Sequence, residues 1–179
     1  MPVSVASTND IPALVTLLNS AYRGDFSKKG WTTEADLISG DIRTDEASVQ
    51  DLLQIPGAVF LKHENADGQL VGCVFLQKMG SRLYLGMLSV SPLTQAQGIG
   101  KQILAAAVSY AIASGCTSIF MKVISARPEL IAWYERHGYV FTGEKESFPE
   151  DGRFGKPLVP IEFHIMEKII QTQLYPATP

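Results

Sequence analysis

The sequence predicts a mixed α/β fold, and two observations lead to that prediction. The apolar residues change rhythm along the chain: short β-rich runs separated by turns fill residues 58–90, whereas helical spacing dominates residues 98–113. The chain also has 179 residues, 46% of them apolar, which is enough for one sizeable hydrophobic core. We expect one domain over residues 1–170, followed by a frayed polar tail over residues 171–179.

The first part of the chain predicts a short strand over residues 3–6 and an amphipathic helix over residues 10–22. Pro12 suits the first turn of that helix, and Gly24 is expected to end it. Residues 31–53 are less regular, with short helices expected at 33–37 and 48–53 around an acid-rich stretch. That stretch is either a solvated loop or part of a binding site on a rigid scaffold.

The remaining elements follow from strand runs, turn signals and helical spacing. Short connections between the first three strands predict an antiparallel meander. The predicted strands cover residues 58–63, 70–77, 82–90, 118–124, 139–142 and 161–169, and the predicted helices cover 98–113 and 128–137. The element order is therefore β, α, α, β, β, β, α, β, α, β, β.

Charge and composition exclude several classes of protein. Eighteen acidic against fifteen basic residues give a net charge of -3, which disfavours a nucleic-acid partner. No apolar run approaches the roughly 18 residues that span a bilayer, and the N-terminus lacks the features of a signal peptide. We expect a cytoplasmic protein without membrane partners. Cys73 and Cys116 lie in apolar stretches without zinc spacing, so we expect buried thiols and no metal site.

Two glycines one residue apart, Gly98 and Gly100, mark the turn from a predicted strand into a predicted helix. Unpaired N–H groups at a helix start bind anions, and a pyrophosphate is the obvious candidate. A P-loop would need Ser or Thr after Lys101, and a dinucleotide fingerprint would need a third glycine. A glycine-rich turn without a ligand is the structural alternative.

Two motifs together resemble the GNAT superfamily of N-acetyltransferases. The QxxGxG motif at residues 95–100 resembles the family's acyl-CoA pyrophosphate loop, and YExxGY at 134–139 resembles its helix-end signature. The resemblance extends in element order over residues 1 to about 170. It implies a GNAT-like acyl-CoA N-acyltransferase fold: a splayed, mostly antiparallel central sheet flanked by helices, with the pantetheine arm between two parting strands.

The same resemblance implies an activity and a set of site residues. The enzyme would transfer acetyl from acetyl-CoA to a primary amine, of a small molecule or of a peptide, by direct attack on the thioester. Tyr134 matches the general acid that protonates the departing thiolate, and a backbone N–H near Leu88 would polarise the thioester carbonyl. The residues expected to bind acetyl-CoA are Leu88, Ser89, Val90, Gln95, Ala96, Gln97, Gly98, Ile99, Gly100, Lys101 and Arg127.

The sequence departs from the family pattern at two positions. Arg127 stands where many members have Asn, so we expect it either near a CoA phosphate or capping the helix. Tyr84 stands where the histone-acetylating branch has a glutamate, so a glutamate relay is unsupported and the general base is not identified. For Tyr134 the structural alternative is a core tyrosine. The alternative function is a non-catalytic acyl-CoA-binding sensor or assembly domain.

Other polar and aromatic residues keep two interpretations. The residues located where the family binds its acceptor, either binding a cationic amine or lying in a solvated loop, are Trp31, Glu34, Asp36, Arg43 and Asp45. His164 either faces the acceptor cleft or is an ordinary sheet histidine. We expect His63 in a turn, His137 at a helix end and Trp133 in the core. Family members often pair, so the resemblance is compatible with a homodimer.

Overall fold

A seven-stranded sheet organises the chain. The structure is a computed structural model, and it describes residues 3–149, 152–153 and 155–170. The strands are Ser4–Val5 (β1), Ala58–Glu64 (β2), Leu70–Met79 (β3), Arg82–Val90 (β4), Ser118–Ile124 (β5), Val140–Ser147 (β6) and Glu162–Ile169 (β7). They are arranged in the order β1-β2-β3-β4-β5-β7-β6. Neighbouring strands are antiparallel except β4 and β5, which are parallel.

Helices flank this sheet, so the predicted mixed α/β fold is confirmed. A single 3-10 turn, Thr8–Asp10, precedes the first α-helix. The α-helices are Ile11–Tyr22 (α1), Gly24–Ser27 (α2), Glu46–Gln54 (α3), Ile99–Ala113 (α4) and Pro128–Glu135 (α5). Within the described residues, no helix is both long enough and apolar enough to cross a membrane.

Some element boundaries differ from the prediction. Gly24, expected only to end a helix, begins the one-turn helix α2 after an extended Arg23. Residues 33–37 form turns rather than a helix. The α3 helix starts earlier than expected because the Asp45 carboxylate accepts a hydrogen bond from the Ser48 N–H at 2.7 Å. The β6 strand is longer than expected because β7 pairs with it beyond Gly143.

The core consists of two clusters. One packs α4 against β3, β4 and β5 around Leu76, Ile103 and Ile119, and the other packs α1 against β2 and β3 around Leu18 and Phe60. The first cluster depends on a missing side chain. A Cβ added at Gly72 would lie 2.7 Å from Ile103 Cδ1, so only glycine lets α4 pack this closely on β3.

The predicted splay of the sheet occurs between β4 and β5. Their pairing is confined to residues 82–84 of β4 and 118–120 of β5, and beyond this the strands part. A β-bulge in β4 accompanies the separation. Met87 has a φ of 52°, and neither Met87 nor Leu88 has a partner in register on β3. The gap between the strands therefore opens beside backbone groups of Leu88.

Three smaller expectations can also be compared with the structure. Cys73 and Cys116 are buried as expected, and burial raises the pKa of the Cys73 thiol to about 12. His63 was expected in a turn, but it is buried within β2, where desolvation lowers the pKa of its imidazole. The turn lies two residues further on because β2 continues through Glu64. The expected tail over residues 171–179 lies outside the described residues.

Candidate active site

The glycine-rich turn connects the end of β4 to the start of α4. Gly98 occupies the left-handed region with a φ of 77°, and so does Ala96 with a φ of 67°. No side chain among the described residues caps α4. The first helical hydrogen bond of α4 is donated by the Gln102 N–H to the Gly98 carbonyl at 3.1 Å. Among the described residues, the N–H groups of residues 99–101 therefore have no hydrogen-bond acceptor. These donors and the helix dipole make an anion-binding helix start.

A cavity of about 440 Å³ opens directly in front of this helix start. It reaches from the turn to α5 and to the end of β4. Eight of the residues expected to bind acetyl-CoA line it: Leu88, Val90, Gln95, Ala96, Gly98, Ile99, Gly100 and Lys101. Ser89, Gln97 and Arg127 are not among its lining residues. Ser89 is buried with its hydroxyl donating to the Met87 carbonyl at 3.0 Å, and Gln97 is exposed.

Gln95 joins the turn to a distant loop. Its amide group donates to the Thr32 hydroxyl at 3.0 Å and to the Val90 carbonyl at 3.2 Å. Its carbonyl oxygen accepts a hydrogen bond from the Trp31 N–H at 2.9 Å. Gln95 thus braces the wall of the cavity with its side chain, and the ligand-facing donors of the turn are backbone groups.

Arg127 supports the same loop from the other side. Its side chain is 4% exposed, and its guanidinium donates to the carbonyls of Trp31 and Thr32, both at 2.9 Å. Its Nε pairs with Glu129 at 3.3 Å. The guanidinium is therefore occupied by backbone carbonyls of the chain itself. Arg127 is also the N-cap residue of α5, as one of the two expectations had it, although its side chain makes no capping hydrogen bond.

Tyr134 lies near the end of α5, and it shares the wall of the cavity with Glu129 of the same helix. It lines the cavity, and its hydroxyl makes no hydrogen bond to any residue the structure describes. Its ring packs edge-on against Trp133 and Tyr139, with centroid distances of 5.1 and 5.8 Å. Burial raises the pKa of Tyr134 well above its usual value of 10, so the phenol keeps its proton at neutral pH.

Trp133 was expected in the core but lines the cavity and is only partly buried. Its indole lies beside Gly100, where an added Cβ would be 3.4 Å from the ring. The ring of Trp31 lies 6.0 Å from that of Trp133, centroid to centroid. The sequence does not show whether an apolar residue of α5 packs in the core or in the wall of a cavity, so Trp133 was assigned to the core.

A small cavity of about 80 Å³ occupies the gap between the parting strands β4 and β5. It shares Leu88 and Tyr134 with the first cavity, so both residues face the point where the two meet. Tyr22 also lines both cavities, and its hydroxyl donates to the Leu88 carbonyl. Sequence reasoning missed this role because Tyr22 was explained by its helical spacing in α1. The signal that could have shown it is the hydroxyl of a tyrosine at the last position of an otherwise apolar helix face.

A third cavity, of about 570 Å³, lies beyond the small one and is called the distal cavity below. It is lined by Arg23, Glu34, Ile38, Arg43, Thr44, Ser48, Asp51, Leu52, Ile55, Met87, Ile124, Phe148, Pro149, Arg153, Gly155 and Phe163. Five of these also line the small cavity: Glu34, Arg43, Met87, Ile124 and Phe163. The small cavity therefore shares lining residues with both larger cavities, one beside α4 and α5 and the other beside α3.

The five residues proposed for acceptor binding separate in the structure. Glu34 and Arg43 line the distal cavity, and Trp31 lines the first cavity. Asp36 is exposed and lies 3.5 Å from Lys28, as in the solvated-loop alternative. Asp45 caps α3 and pairs with Arg153 at 3.4 Å. The hydrogen bond that its carboxylate accepts from the Ser48 N–H lowers the pKa of Asp45.

The histidines and Tyr84 lie away from these spaces. His164 stacks on Phe141 with a centroid distance of 4.3 Å and is not among the lining residues of the three cavities. His137 lies just past α5, with its Nδ1 2.7 Å from the Trp133 carbonyl. Tyr84 packs against Phe75 and Phe120. No group of three or more His, Cys, Asp or Glu side chains suited to a metal ion occurs among the described residues.

Comparison with known proteins gives a consistent result. The model of a family described as "Acetyltransferase (GNAT) family" matches residues 12–139. The ribosomal-protein-S18-alanine N-acetyltransferase of Escherichia coli is similar in structure, with a TM-score of 0.71, 16% identity, and 99% of this chain and 98% of that chain covered.

Two further solved structures share the fold. The ribosomal-protein-alanine N-acetyltransferase of Brucella melitensis has a TM-score of 0.70 and 20% identity, covering 95% of this chain and all of that one. The spermidine N-acetyltransferase of Vibrio cholerae, solved as a mutant, has a TM-score of 0.67 and 15% identity, covering 94% and 95%. At these identities the likeness establishes the fold, and the names of these proteins describe their own acceptors.

Proposed function

Because the chain belongs to the acetyltransferase (GNAT) family, we propose that it transfers acetyl from acetyl-CoA to the primary amine of a small molecule. One observation carries the proposal: the cavity at the start of α4 meets, at Leu88 and Tyr134, a small cavity that leads to the distal cavity. Donor and acceptor could thus approach one another from the two larger cavities.

The donor would occupy the cavity at the start of α4. The free amides of residues 99–101 supply hydrogen bonds and a positive helix end for the pyrophosphate. The unpaired stretch of β4 at Met87 and Leu88 supplies backbone groups for the amides of the pantetheine arm, as an added strand would. The thioester would then lie near Leu88, where the two cavities meet.

The chemistry would be a direct acyl transfer. The amine nitrogen attacks the thioester carbonyl, a C–N bond forms and the C–S bond breaks. A backbone N–H near Leu88 would stabilise the oxyanion of the intermediate. The electron pair of the C–S bond leaves on sulfur, and the phenol of Tyr134 would protonate that thiolate. The attacking nitrogen would lose one proton to water and the Tyr134 phenolate would regain one from water, so that the products are the amide and the CoA thiol. A hydroxyl kept neutral by burial suits a general acid, because it holds a proton at the pH at which the thiolate departs.

A non-catalytic acyl-CoA-binding domain is the competing function. It would need the turn before α4 but would have no use for a protonated phenol facing the donor cavity. Tyr134, with a hydroxyl that no described residue binds, therefore favours the enzyme. The net charge of -3 continues to argue against a nucleic-acid partner.

Calorimetric titration with acetyl-CoA tests the donor, with NADH and ATP as controls. We expect binding of acetyl-CoA with micromolar affinity and no binding of the controls. Release of the CoA thiol in the presence of amines then tests the transfer. Absence of acetyl-CoA binding would contradict the proposed enzyme, and binding without thiol release from any amine would favour the non-catalytic alternative.

A further inference from the structure

We propose that the acceptor carries a carboxylate near its amine, as an amino acid does, and that Arg43 in the distal cavity binds that carboxylate. The inference rests on the proposed function and adds the substrate class. It follows from the state of the polar groups around the distal cavity, which are not all satisfied by the chain itself.

Arg43 differs from the two other arginines that line this cavity. Arg23 pairs with Glu34 at 2.5 Å, and Arg153 pairs with Asp45 at 3.4 Å. The guanidinium of Arg43 has neither an ion pair nor a hydrogen bond with any residue in the described part of the chain. It lies over the ring of Tyr22, 4.6 Å from the ring centroid, and its Nε is buried without a partner. This stacking orients the guanidinium and leaves its donors unused.

Neighbouring polar atoms are also without partners. The Oγ1 of Thr44 and the Nε of Arg23 are buried without hydrogen bonds, and both residues line the distal cavity. Native proteins leave few buried donors unpaired, so groups of this kind beside a cavity are suited to bind a ligand. With the Ser48 hydroxyl, four buried polar groups around this cavity have no partner among the described residues, and such a set of donors indicates an oxygen-rich, anionic ligand.

The charge around the cavity points the same way. Among the described residues, its lining includes three arginines and two carboxylates, Glu34 and Asp51. Glu34 is paired with Arg23, and Asp51 is exposed to solvent on α3. Among the described lining residues that are not exposed, Arg43 is therefore the charged group without an ion pair. It would repel an acceptor that carries only positive charge and attract one that also carries a carboxylate.

The position of Arg43 relates the carboxylate to the reaction. Arg43 lines the distal cavity and also the small cavity, whose lining includes Leu88 and Tyr134 as well. A carboxylate held by Arg43 leaves the amine a few bonds away on the side of the thioester. The rest of the distal cavity, about 570 Å³ in volume, would accommodate the side chain of the acceptor. A guanidinium grips a carboxylate through two parallel hydrogen bonds, which also fixes the direction of the amine.

The first test compares amino acids with their own amides, for example methionine with methioninamide, by CoA thiol release. The amide keeps the side chain and the amine, and its amine is deprotonated more readily, so intrinsic reactivity favours the amide. We expect kcat/KM to be at least about 10-fold higher for the acid, the scale of hydrogen bonds to a charged group. Equal values, or no turnover of any acid while amides or simple amines react, would overturn the inference and leave the proposed function intact.

The second test is the variant Arg43→Gln. We expect the ratio of acid to amide in kcat/KM to fall toward one, through a higher KM for the acid, with Arg43→Lys retaining part of the preference. A purely structural role would lower kcat/KM equally for the acid and the amide, so an unchanged ratio of the two overturns the inference. Arg82→Gln is the matched control, because Arg82 lies on β4 over Phe120 and lines none of the three cavities. Failure of the wild-type protein to bind acetyl-CoA in the same series would instead overturn the proposed function and this inference with it.

Discussion

The hydroxyl of Tyr22 donates a hydrogen bond to the carbonyl of Leu88, although the two residues are 66 positions apart in the chain. Tyr22 is the last residue of α1, and Leu88 lies in the bulge at which β4 leaves β3. The bond thus attaches the first helix to the point where the small cavity meets the cavity at the start of α4. Burial raises the pKa of Tyr22, so the donor keeps its proton through the neutral range.

The role of Tyr134 predicts a specific loss in Tyr134→Phe. The variant keeps the ring and its packing but loses the proton donor, so we expect acetyl-CoA affinity to stay unchanged and kcat to fall about 100-fold or more, the usual size of a general-acid contribution. Tyr139→Phe is the matched control, because the Tyr139 hydroxyl is buried without a partner and lines none of the three cavities. Unchanged turnover in Tyr134→Phe would remove Tyr134 from catalysis.

The turn before α4 predicts loss of donor binding in Gly98→Asp. An aspartate there would bring negative charge to the site of the pyrophosphate, so acetyl-CoA binding should fall below detection in calorimetry. Gly68→Asp is the matched control, since Gly68 has a φ of 76° against 77° for Gly98 and both have open space around a new Cβ. The two variants share the backbone strain, so normal acetyl-CoA affinity in Gly98→Asp would show that the turn is misassigned.

The contacts of Arg127 predict that this residue mainly stabilises the ligand-free fold and does not directly contact acetyl-CoA. Arg127→Gln removes two charged donors from the carbonyls of Trp31 and Thr32, so we expect the free energy of unfolding without ligand to fall by about 2–4 kcal/mol. Chemical denaturation of the ligand-free protein measures this. A stability equal to wild type, together with weaker acetyl-CoA binding, would instead support the contact with a CoA phosphate that the sequence suggested.

The buried thiol predicts that stability declines in alkaline solution. Burial raises the pKa of Cys73 from 9.0 to about 12, so above pH 9 the unfolded chain loses a proton that the folded chain keeps. The contribution of Cys73 to the free energy of unfolding is therefore complete below pH 9. It is lost as the pH rises toward 12, by up to about 1.4 kcal/mol per pH unit. Denaturation between pH 7 and 11 measures the slope.

The variant Cys73→Ala should remove the part of this decline that begins near pH 9. A further decline above pH 10 should remain, since burial also raises the pKa of Tyr22, Tyr134 and Tyr139 from 10.0. A free energy of unfolding that stays constant from pH 8 to 11 in the wild-type protein would contradict this account.

Much of the fold follows from local patterns. Strand β5 has the predicted bounds, and α1 and α4 begin within one residue of the prediction, because apolar periodicity and turn residues act over a few positions. The extension of β6 and the one-turn helix α2 were not foreseen. The extension of β6 depends on its pairing with β7, a separate element of the chain, so no local pattern contains it.

The sequence by itself determined the mixed fold, the turn before α4 and the tyrosine of α5, because each is a run of residues whose spacing carries its own physical meaning. Only the tertiary structure decided which polar groups meet. Gln95 and Arg127 turn out to hold one loop, at Trp31 and Thr32, and the guanidinium of Arg43 lines a cavity without a hydrogen-bond partner among the described residues. Such pairings depend on the distance between residues tens of positions apart, and that distance is set by the packing of the sheet rather than by any single segment.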